Sequence, residues 1–450
     1  MAVPQDVSDR LLAECLGRAH AYQSLQRLCD GVGGRTSGSQ TGALAEDWAH
    51  DALVAAGLGR VWFEPVEVAV WQRGTLLADV CGSHGWRLDA LSHGFAADEC
   101  DVTAPVVDAG FGVPEDYARL NGLARGAAVL CREGAPQGKR APHRTEKLAW
   151  AVANGAAAMM LAGSTPGCLP RTGVCHRTGS PIPSIGLTKE DSDRLQRALS
   201  GGIRPAVRIR MDNRTFAGTA RNVLADIAGS ELPDEIVLAG AHLDSWDVAQ
   251  GATDNGLGCA IVLQAARSLA ACGRAPRRTL RFALWAAEET GLHGSRNYVA
   301  THGDELDRVA AVMNFDMTGD PYGYWTPGHP ESHDVLRRLA AQLAPLGMTD
   351  EASHQAGLHS DHQPFMLAGV PIVGLMARLP EGGGGHYYHS AGDTFEKVSL
   401  PALCRAAAVA AHTLWALADT PDRTFARMTK EEVDAMVAEA GLTEAIAADC

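Results

Sequence analysis

The sequence shows neither a long apolar run nor the pattern of an N-terminal leader. No run of 18 apolar residues occurs in it, so we expect no transmembrane helix. The N-terminus, MAVPQDVSDRLLAECLGRAH, has no basic stretch followed by an apolar one, so we expect no secretory signal. We therefore predict a cytoplasmic protein, or a secreted or periplasmic one if a leader was removed.

The cysteines lack the pattern of a disulfide framework. There are eleven, an odd number, and no two of them form a CxxC pair. Scattered cysteines of this kind are typical of reduced, buried thiols in a cytoplasmic protein. Cys168 and Cys175 are close enough in sequence to form one loop disulfide, and that alternative stays open.

An excess of positive charge is also missing. The chain has 39 basic and 53 acidic residues, which gives a formal net charge of −14. This balance argues against nucleic acid or an anionic membrane surface as the main partner. Hydrophobic residues make up 46% and charged residues 20%, which is ordinary for a soluble globular enzyme. The length of 450 residues predicts two or three domains.

Apolar, strand-like runs alternate with helix-length stretches from about residue 220 to the end. The clearest runs are EIVLAGAH, TLRFALWAA, VAAVMNFDM and VPIVGLMA. Nearly continuous apolar strands separated by helices predict an α/β fold with a mixed, mainly parallel sheet covered by helices. In such sheets, ligands bind beyond the carboxyl ends of the strands.

Residue types that bind metals follow these runs. In chain order they are His242, Asp244, Asp254, Glu288, Glu289, Asp316 and His389. One imidazole, one carboxylate and a shared carboxylate per ion would hold two divalent cations, and zinc suits this mixture of nitrogen and oxygen ligands. Adjacent glutamates make chemical sense if one binds a metal while the other acts as general base toward water.

The same residues also have a structural interpretation. A single histidine or aspartate at a strand end is usually a cap or a hydrogen-bond partner in a loop, and glutamates at a helix N-terminus favour the helix dipole. Seventeen histidines make chance pairings frequent. The joint pattern, with metal-binding residue types at successive strand ends of one α/β unit, favours the metal site.

Four segments resemble the metal-ligand segments of the M28 co-catalytic zinc peptidases. They are GAHLDSWDVAQGATDNG, AEETG, NFDMTGD and HSAGDT. The resemblance is strongest with the carboxypeptidase Q-like branch, also called plasma glutamate carboxypeptidase. Members of that branch carry LCDGVGGRTSGSQ and VWFEPVEVAVWQRG in similar form. The resemblance implies a zinc exopeptidase fold.

The resemblance also implies which residues bind the metals. His242 and Asp316 would hold one zinc ion. Glu289 and His389 would hold the second, and Asp254 would bridge the two. Manganese or cobalt would suit a site of this ligand type as well.

Further roles follow from the same resemblance. Glu288 would be the general base, and Asp244 would orient the imidazole of His242. The Asp254–Asn255 peptide would be cis. The implied reaction is hydrolysis of dipeptides or short peptides with a free N-terminus by a zinc-bound hydroxide. Two alternatives remain, a di-zinc N-acyl amidohydrolase and a catalytically silent binding scaffold.

The middle of the chain resembles a protease-associated domain inserted into the peptidase domain. We predict a discontinuous peptidase domain, residues 1–100 and 214–450, with the insertion at 101–213. The expected role of the insertion is to wall or cover the active-site cleft. The resemblance further suggests a homodimer.

Other candidates lie near the predicted ligands in sequence. Tyr387, Tyr388 and His359 are candidates for stabilising the oxyanion. Ser360 and Asp361 belong to a segment, GLHSDHQPF, that resembles one close to the family's site, and we expect them to be structural. The basic loop 132–145 is either a solvated loop or a contact for an anionic substrate.

Overall fold

The structure is a computed structural model, and it describes residues 3–18, 20–379 and 384–448. The chain divides into two compact units. The first comprises Met1–Val68, Thr219–His386 and Asp393–Thr443. The second comprises Ala69–Gly218, Tyr387–Gly392 and Glu444–Cys450.

The described residues form helices and strands in both units. The helices are α1 Gln5–Gly17, α2 His20–Gly31, α3 Gln40–Ala55, α4 Pro114–Leu120, α5 Arg144–Ala153, α6 Lys189–Ser200, α7 Leu257–Ala271, α8 His293–Thr301, α9 His333–Gln342, α10 His362–Leu367, α11 Gly384–Tyr387, α12 Leu400–Asp419, α13 Lys430–Glu439 and α14 Thr443–Ala448. The strands are β1 Arg60–Gln72, β2 Leu76–Val80, β3 Ala90–Ser92, β4 Glu99–Asp108, β5 Ala128–Arg132, β6 Ala158–Ala162, β7 Ser184–Leu187, β8 Ala206–Asp212, β9 Arg214–Ile227, β10 Leu232–His242, β11 Arg278–Trp285, β12 Val309–Asn314, β13 Asp320–Trp325, β14 Ala352–Ser353 and β15 Gly374–Arg378.

A five-stranded sheet of order β1-β9-β11-β10-β12 forms the centre of the first unit. β10 pairs in parallel with both β11 and β12, whereas β9 runs antiparallel to β11. The register sets His242 opposite Trp285 and Gly240 opposite Asn314. The carboxyl ends of β10, β11 and β12 therefore meet at one edge. The predicted α/β fold with a mixed sheet is confirmed.

Helices cover the strands, which explains why β10 and β11 read as apolar runs rather than alternating ones. All eight residues of β11 are buried. α7 and α12 contact each other and the sheet. α12 is long and apolar enough to span a membrane by composition, yet 83% of its apolar window is buried inside the protein. Such burial is typical of a core helix.

The apolar run at 370–377 differs from the other predicted strands. Its β15 belongs to a separate three-stranded sheet of order β14-β13-β15. β15 pairs antiparallel with β13, where Gly374 lies opposite Trp325. Ile372, ahead of β15, forms a bridge to Val312 of β12. The chain therefore contacts the five-stranded sheet at Ile372 and then joins the three-stranded sheet as β15.

The second unit is built around a seven-stranded sheet of order β2-β8-β4-β5-β6-β7-β3. β4, β5, β6 and β7 are parallel neighbours, and antiparallel strands flank them. β2 and β3 belong to this sheet, which explains why the unit begins at Ala69, ahead of the predicted insertion at 101–213.

The ten cysteines within the described residues are free thiols. Cys168 is exposed, whereas Cys175 is buried and its thiol donates a hydrogen bond to the carbonyl of Gly94 over 3.2 Å. The alternative of a Cys168–Cys175 disulfide is therefore wrong.

Candidate metal centre

The first donor group forms where two parallel strands end. His242 is the last residue of β10, and its side chain is 1% exposed. Its Nε2 lies 3.2 Å from Oδ1 of Asp254 and 3.4 Å from Oδ1 of Asp316. Asp254 lies in the irregular turn Ala252–Gly256, and Asp316 follows β12. One imidazole nitrogen and two carboxylate oxygens thus lie within 4.8 Å of one another.

Asp254 also lies beside a carboxylate from the third strand. Glu289 follows β11, the other parallel neighbour of β10. A carboxylate oxygen of Glu289 and one of Asp254 lie within 4.8 Å of each other, and both residues are buried. Asp254 therefore lies near donor atoms of His242 and Asp316 and near a carboxylate oxygen of Glu289, as a bridging ligand would.

His389 belongs to the Tyr387–Gly392 segment of the second unit. It is 5% exposed, and its backbone is left-handed with a φ of 53°. Its carbonyl accepts the backbone N–H of Thr172 over 2.9 Å, and its ring stacks on that of Tyr388 at 3.6 Å. Its assignment as a zinc ligand stays a prediction.

Two side chains fix the turn that carries Asp254. The carboxylate of Asp393 accepts the backbone N–H of Thr253 over 2.8 Å and that of Asp254 over 3.0 Å. The side chain of Asn255 donates to the carbonyl of Phe315 over 2.8 Å. It therefore ties the turn to the residues around Asp316. The predicted cis peptide between Asp254 and Asn255 is confirmed.

Four consecutive backbone amides after β11 are each held by a side chain. The N–H groups of residues 286, 287, 288 and 289 donate, in that order, to Asn222 Oδ1, Ser37 Oγ, Asp244 Oδ1 and Asp244 Oδ2, over 3.0, 2.7, 3.1 and 3.3 Å. Buried backbone donors need partners, and these side chains supply them where the strand ladder ends. The turn that presents Glu288 and Glu289 is therefore fixed by distant parts of the chain.

Asp244 contacts the imidazole of His242 through its backbone. Nδ1 of His242 lies 3.1 Å from the carbonyl oxygen of Asp244 and 3.6 Å from its carboxylate. An Nδ1–H that donates to this carbonyl leaves the lone pair on Nε2, the nitrogen that faces Asp254 and Asp316. The carboxylate of Asp244 also accepts the backbone N–H groups of Glu288 and Glu289.

The density of carboxylates shifts the pKa values of the centre. Burial alone would lower the pKa of His242, but neighbouring carboxylates, Glu288 and Asp316 first among them, raise it well above its usual value. Burial, and the like charge of Asp316, raise the pKa of Glu288 well above its usual range, although His242 opposes this. Burial also raises the pKa of Asp361 to about 7. A centre that gathers this much negative charge away from water favours bound cations.

Known proteins resemble this chain in sequence and in fold. The chain matches the model of peptidase family M28 over residues 222–414 and that of the PA domain over residues 102–195. Carboxypeptidase Q from Homo sapiens is 32% identical over 409 residues, which cover 89% of this chain and 85% of that protein. A probable lipoprotein aminopeptidase, LpqL from Mycobacterium tuberculosis, is 35% identical over 296 residues, which cover 61% of this chain and 55% of that protein. A peptidase M28 precursor from Shewanella amazonensis has a similar structure, with a TM-score of 0.83 at 26% identity over 95% of this chain and 99% of that one.

The chain belongs to peptidase family M28. The prediction of a zinc metallopeptidase with a protease-associated domain is confirmed, and its class is that of a metallo-exopeptidase. The chemistry of the donor set fits this assignment, because zinc accepts imidazole nitrogen and carboxylate oxygen as ligands. The PA-domain match falls within the second unit.

Two further residues support the predicted ligands: Asp393, which the sequence did not predict, and Ser360, which we expected to be structural. Asp393 lies in the segment HSAGDT, but its carboxylate oxygens accept hydrogen bonds from backbone N–H groups. No sequence pattern predicts such contacts. Ser360, expected to be structural, donates to Oδ2 of Asp316 over 2.6 Å and accepts from Asn314 over 2.7 Å. Ser360 therefore holds a predicted ligand in place.

The remaining candidates are those for stabilising the oxyanion. His359 has a left-handed φ of 68°, and its backbone N–H donates to Gln363. Tyr387 and Tyr388 belong to the second unit's segment with His389. Their roles in stabilising an oxyanion stay predictions.

The cations of the basic loop 132–145 have partners within the second unit. Arg140 pairs with Glu146 over 2.6 Å, and Lys139 contacts Glu115. Nε of Arg144 donates to the carbonyl of Val174 over 2.7 Å. Nη2 of Arg144 also lies 3.4 Å from Nδ1 of His389, a predicted ligand, and the choice between a structural loop and a contact for an anionic substrate stays a prediction.

Proposed function

We propose that this M28 peptidase is a co-catalytic di-zinc enzyme that hydrolyses dipeptides or short peptides with a free N-terminus. The observation that supports two ions is the position of Asp254. Its carboxylate lies within 4.8 Å of the donor atoms of His242 and Asp316 and also of a carboxylate oxygen of Glu289. In the proposal, His389 completes the second ligand set.

The bound zinc ions would supply Lewis acidity and a water of lowered pKa. The residues of the chain supply the rest. Glu288, beside the donor groups, takes the proton of the attacking water and returns it to the leaving amine. Nε2 of His242 keeps its lone pair because Nδ1–H donates to the carbonyl of Asp244. The carboxylate of Asp244 accepts the backbone N–H groups of Glu288 and Glu289 and thereby fixes the backbone of both residues.

The names of the relatives support a dipeptide substrate. One relative is named a carboxypeptidase and another an aminopeptidase. A dipeptide has a free amine and a free carboxylate on either side of a single peptide bond. An enzyme that cleaves dipeptides therefore removes an N-terminal and a C-terminal residue in the same step.

The test combines metal analysis with a matched substrate panel. Zinc per chain is measured on the purified protein, and hydrolysis is followed for free dipeptides, their N-acetylated forms and their C-terminal amides, with and without chelator. We expect two zinc ions and chelator-sensitive cleavage of the free dipeptides. Release of acetate from the N-acetylated forms, without cleavage of the free dipeptides, would identify an N-acyl amidohydrolase instead. A protein that binds no zinc and cleaves nothing after zinc addition would be a scaffold.

A further inference from the structure

The segment GVGGRTSGSQ, between α2 and α3, has no role in the proposed reaction although it lies in one of the motifs singled out from the sequence. Two of its side chains reach the loops that carry the predicted ligands. Arg35 is 0% exposed and Ser37 is 8% exposed. The Gly34–Ser37 segment contacts both the loop after β10 and the turn after β11.

Arg35 binds the backbone of the loop after β10. Its Nε donates to the carbonyl of Leu243 over 2.6 Å, its Nη1 to that of Gln250 over 2.6 Å and its Nη2 to that of Gly251 over 2.9 Å. Nη1 also donates to the carbonyl of Gly33. A buried guanidinium is costly unless its N–H groups are hydrogen-bonded. Movement of these carbonyls would break those hydrogen bonds, so Arg35 holds the carbonyls in place. The carbonyls at 243, 250 and 251 lie in the stretch that leads to the turn with the bridging carboxylate.

Gly34 allows the two stretches of backbone to touch. A Cβ at this position would come within 2.9 Å of Cα of Asp247 and of the carbonyl oxygen of Ala249. No side chain fits in that space without a shift of the loop. The contact is therefore direct, from main chain to main chain.

Ser37 binds the other loop. Its Oγ accepts the backbone N–H of Ala287 over 2.7 Å. Ala287 is fully buried and has a left-handed φ of 55°, an unusual conformation for a residue with a Cβ. It immediately precedes Glu288 and Glu289. The hydroxyl of Ser37 thus fixes the residue at which the chain turns toward the two glutamates.

From these contacts we infer that the Gly34–Ser37 segment is a positioning clamp. Arg35 holds the position of the loop that leads to Asp254. Ser37 holds the position of the turn that presents Glu288 and Glu289. Because Arg35 and Ser37 are only two residues apart in the chain, the two loops keep their positions relative to each other. Arg35 and Ser37 are positioning residues that act through the loops. The inference rests on the proposed function, because the clamp holds the ligands and the base of that centre.

The test uses Ser37→Ala with Ser39→Ala as its matched control. Ser39 lies in the same segment, but its hydroxyl contacts Thr36 and caps α3 by accepting the N–H of Gly42. Hydrogen–deuterium exchange is measured on the metal-free full chain, and zinc affinity is measured by titration. We expect Ser37→Ala to accelerate exchange in the peptide covering residues 286–289 by about tenfold, because a buried N–H loses its acceptor. Zinc affinity should fall, and Ser37→Thr should restore both.

The control separates positioning from general stability. Ser39→Ala should lower the melting temperature and leave exchange at residues 286–289 unchanged. If Ser37→Ala accelerates exchange no more than Ser39→Ala does, the clamp is overturned. Exchange that rises equally over the whole chain in Ser37→Ala would overturn it too, since that pattern reports a stability change alone.

These readouts do not depend on the substrate. If the wild-type protein binds zinc but cleaves no dipeptide, the proposed function fails while faster exchange and weaker zinc binding in Ser37→Ala still support the clamp. If dipeptides are cleaved and Ser37→Ala matches the wild type in both readouts, the clamp alone fails. With dipeptides as substrates, we also expect a lower kcat in Ser37→Ala and a KM that changes little, because the loops present catalytic groups.

Discussion

Glu288 and Glu289 are adjacent in the chain, yet their carboxyl groups have different neighbours. A carboxylate oxygen of Glu289 lies within 4.8 Å of one of Asp254, whereas the pKa of Glu288 depends, after burial, on His242 and Asp316. We expect Glu288→Gln to retain the zinc of the wild type. Its kcat should fall by about 100- to 10,000-fold, the usual contribution of a general base. Metal analysis and kinetics on one preparation measure both quantities.

An exposed glutamate gives the control for this substitution. Glu351→Gln changes the same functional group on the surface of the first unit and should leave zinc content and kcat unchanged. If Glu288→Gln loses zinc together with activity, Glu288 is a ligand and the division of roles between the two glutamates is reversed.

Asp254 is the residue on which the two-metal proposal depends most. Asp254→Asn keeps the size of the side chain and removes the shared negative charge from both donor groups. Changes in residues that merely orient a ligand cost about 10- to 100-fold in metal affinity, so loss of a bridging ligand should cost more at both sites. Zinc per chain after dialysis and zinc titration measure the loss, with the exposed Asp350→Asn as control. Two zinc ions bound as tightly as in the wild type would contradict the bridging role.

At the scale of elements, the turn Ala252–Gly256 depends on a residue that follows it by more than a hundred positions. Asp393 uses both carboxylate oxygens on the amides of Thr253 and Asp254, whereas an asparagine offers one acceptor oxygen. We expect Asp393→Asn to lower the free energy of unfolding of the metal-free protein by roughly 1–3 kcal/mol, since one buried N–H loses its acceptor. Zinc affinity should fall as well.

Urea unfolding and zinc titration measure these two effects. Glu396→Gln, three residues further along and exposed, is the matched control and should change neither. An Asp393→Asn variant with wild-type stability and wild-type zinc affinity would show that the turn keeps its form without this carboxylate.

The contrast between ligands and supporting residues explains what the sequence was able to predict. His242 and Asp316 are recognisable because metal-binding residue types occur at the ends of apolar strands, and Asp254 lies in the loop that follows the first of these strands. Asp393 and Ser37 were not, because their partners are backbone amides, which every residue except proline offers. These contacts also join positions 139 and 250 residues apart, so local patterns carry no sign of them. The strands of the first sheet could be predicted from their apolar runs. The position of β15 in a second sheet could not, because it depends on pairing with β13, which the periodicity of apolar residues does not encode.

At the scale of the whole molecule, the centre links zinc to the stability of the fold. A ligand that binds the folded chain alone stabilises it, by about 2.7 kcal/mol when the free ligand is at 100 times its dissociation constant. Burial first, and then the like charges of Asp316, Glu289 and Asp361, raise the pKa of Glu288, so a charged carboxylate at this position is unfavourable when no cation is bound. We therefore expect removal of zinc by a chelator to lower the melting temperature by about 5 °C or more at neutral pH, and added zinc to restore it.

The Glu288→Gln and Asp254→Asn variants test whether this effect of zinc on the melting temperature depends on the proposed ligands. Glu288→Gln loses the base but keeps every proposed ligand, so its melting temperature should respond to zinc as the wild type does. Asp254→Asn lacks the shared ligand, and its response should shrink. Calorimetric scans of the three proteins, each with chelator and with excess zinc, measure the six melting temperatures. Equal values with and without zinc in the wild type would mean that the folded chain does not bind zinc at this centre, and the proposed mechanism would fall with it.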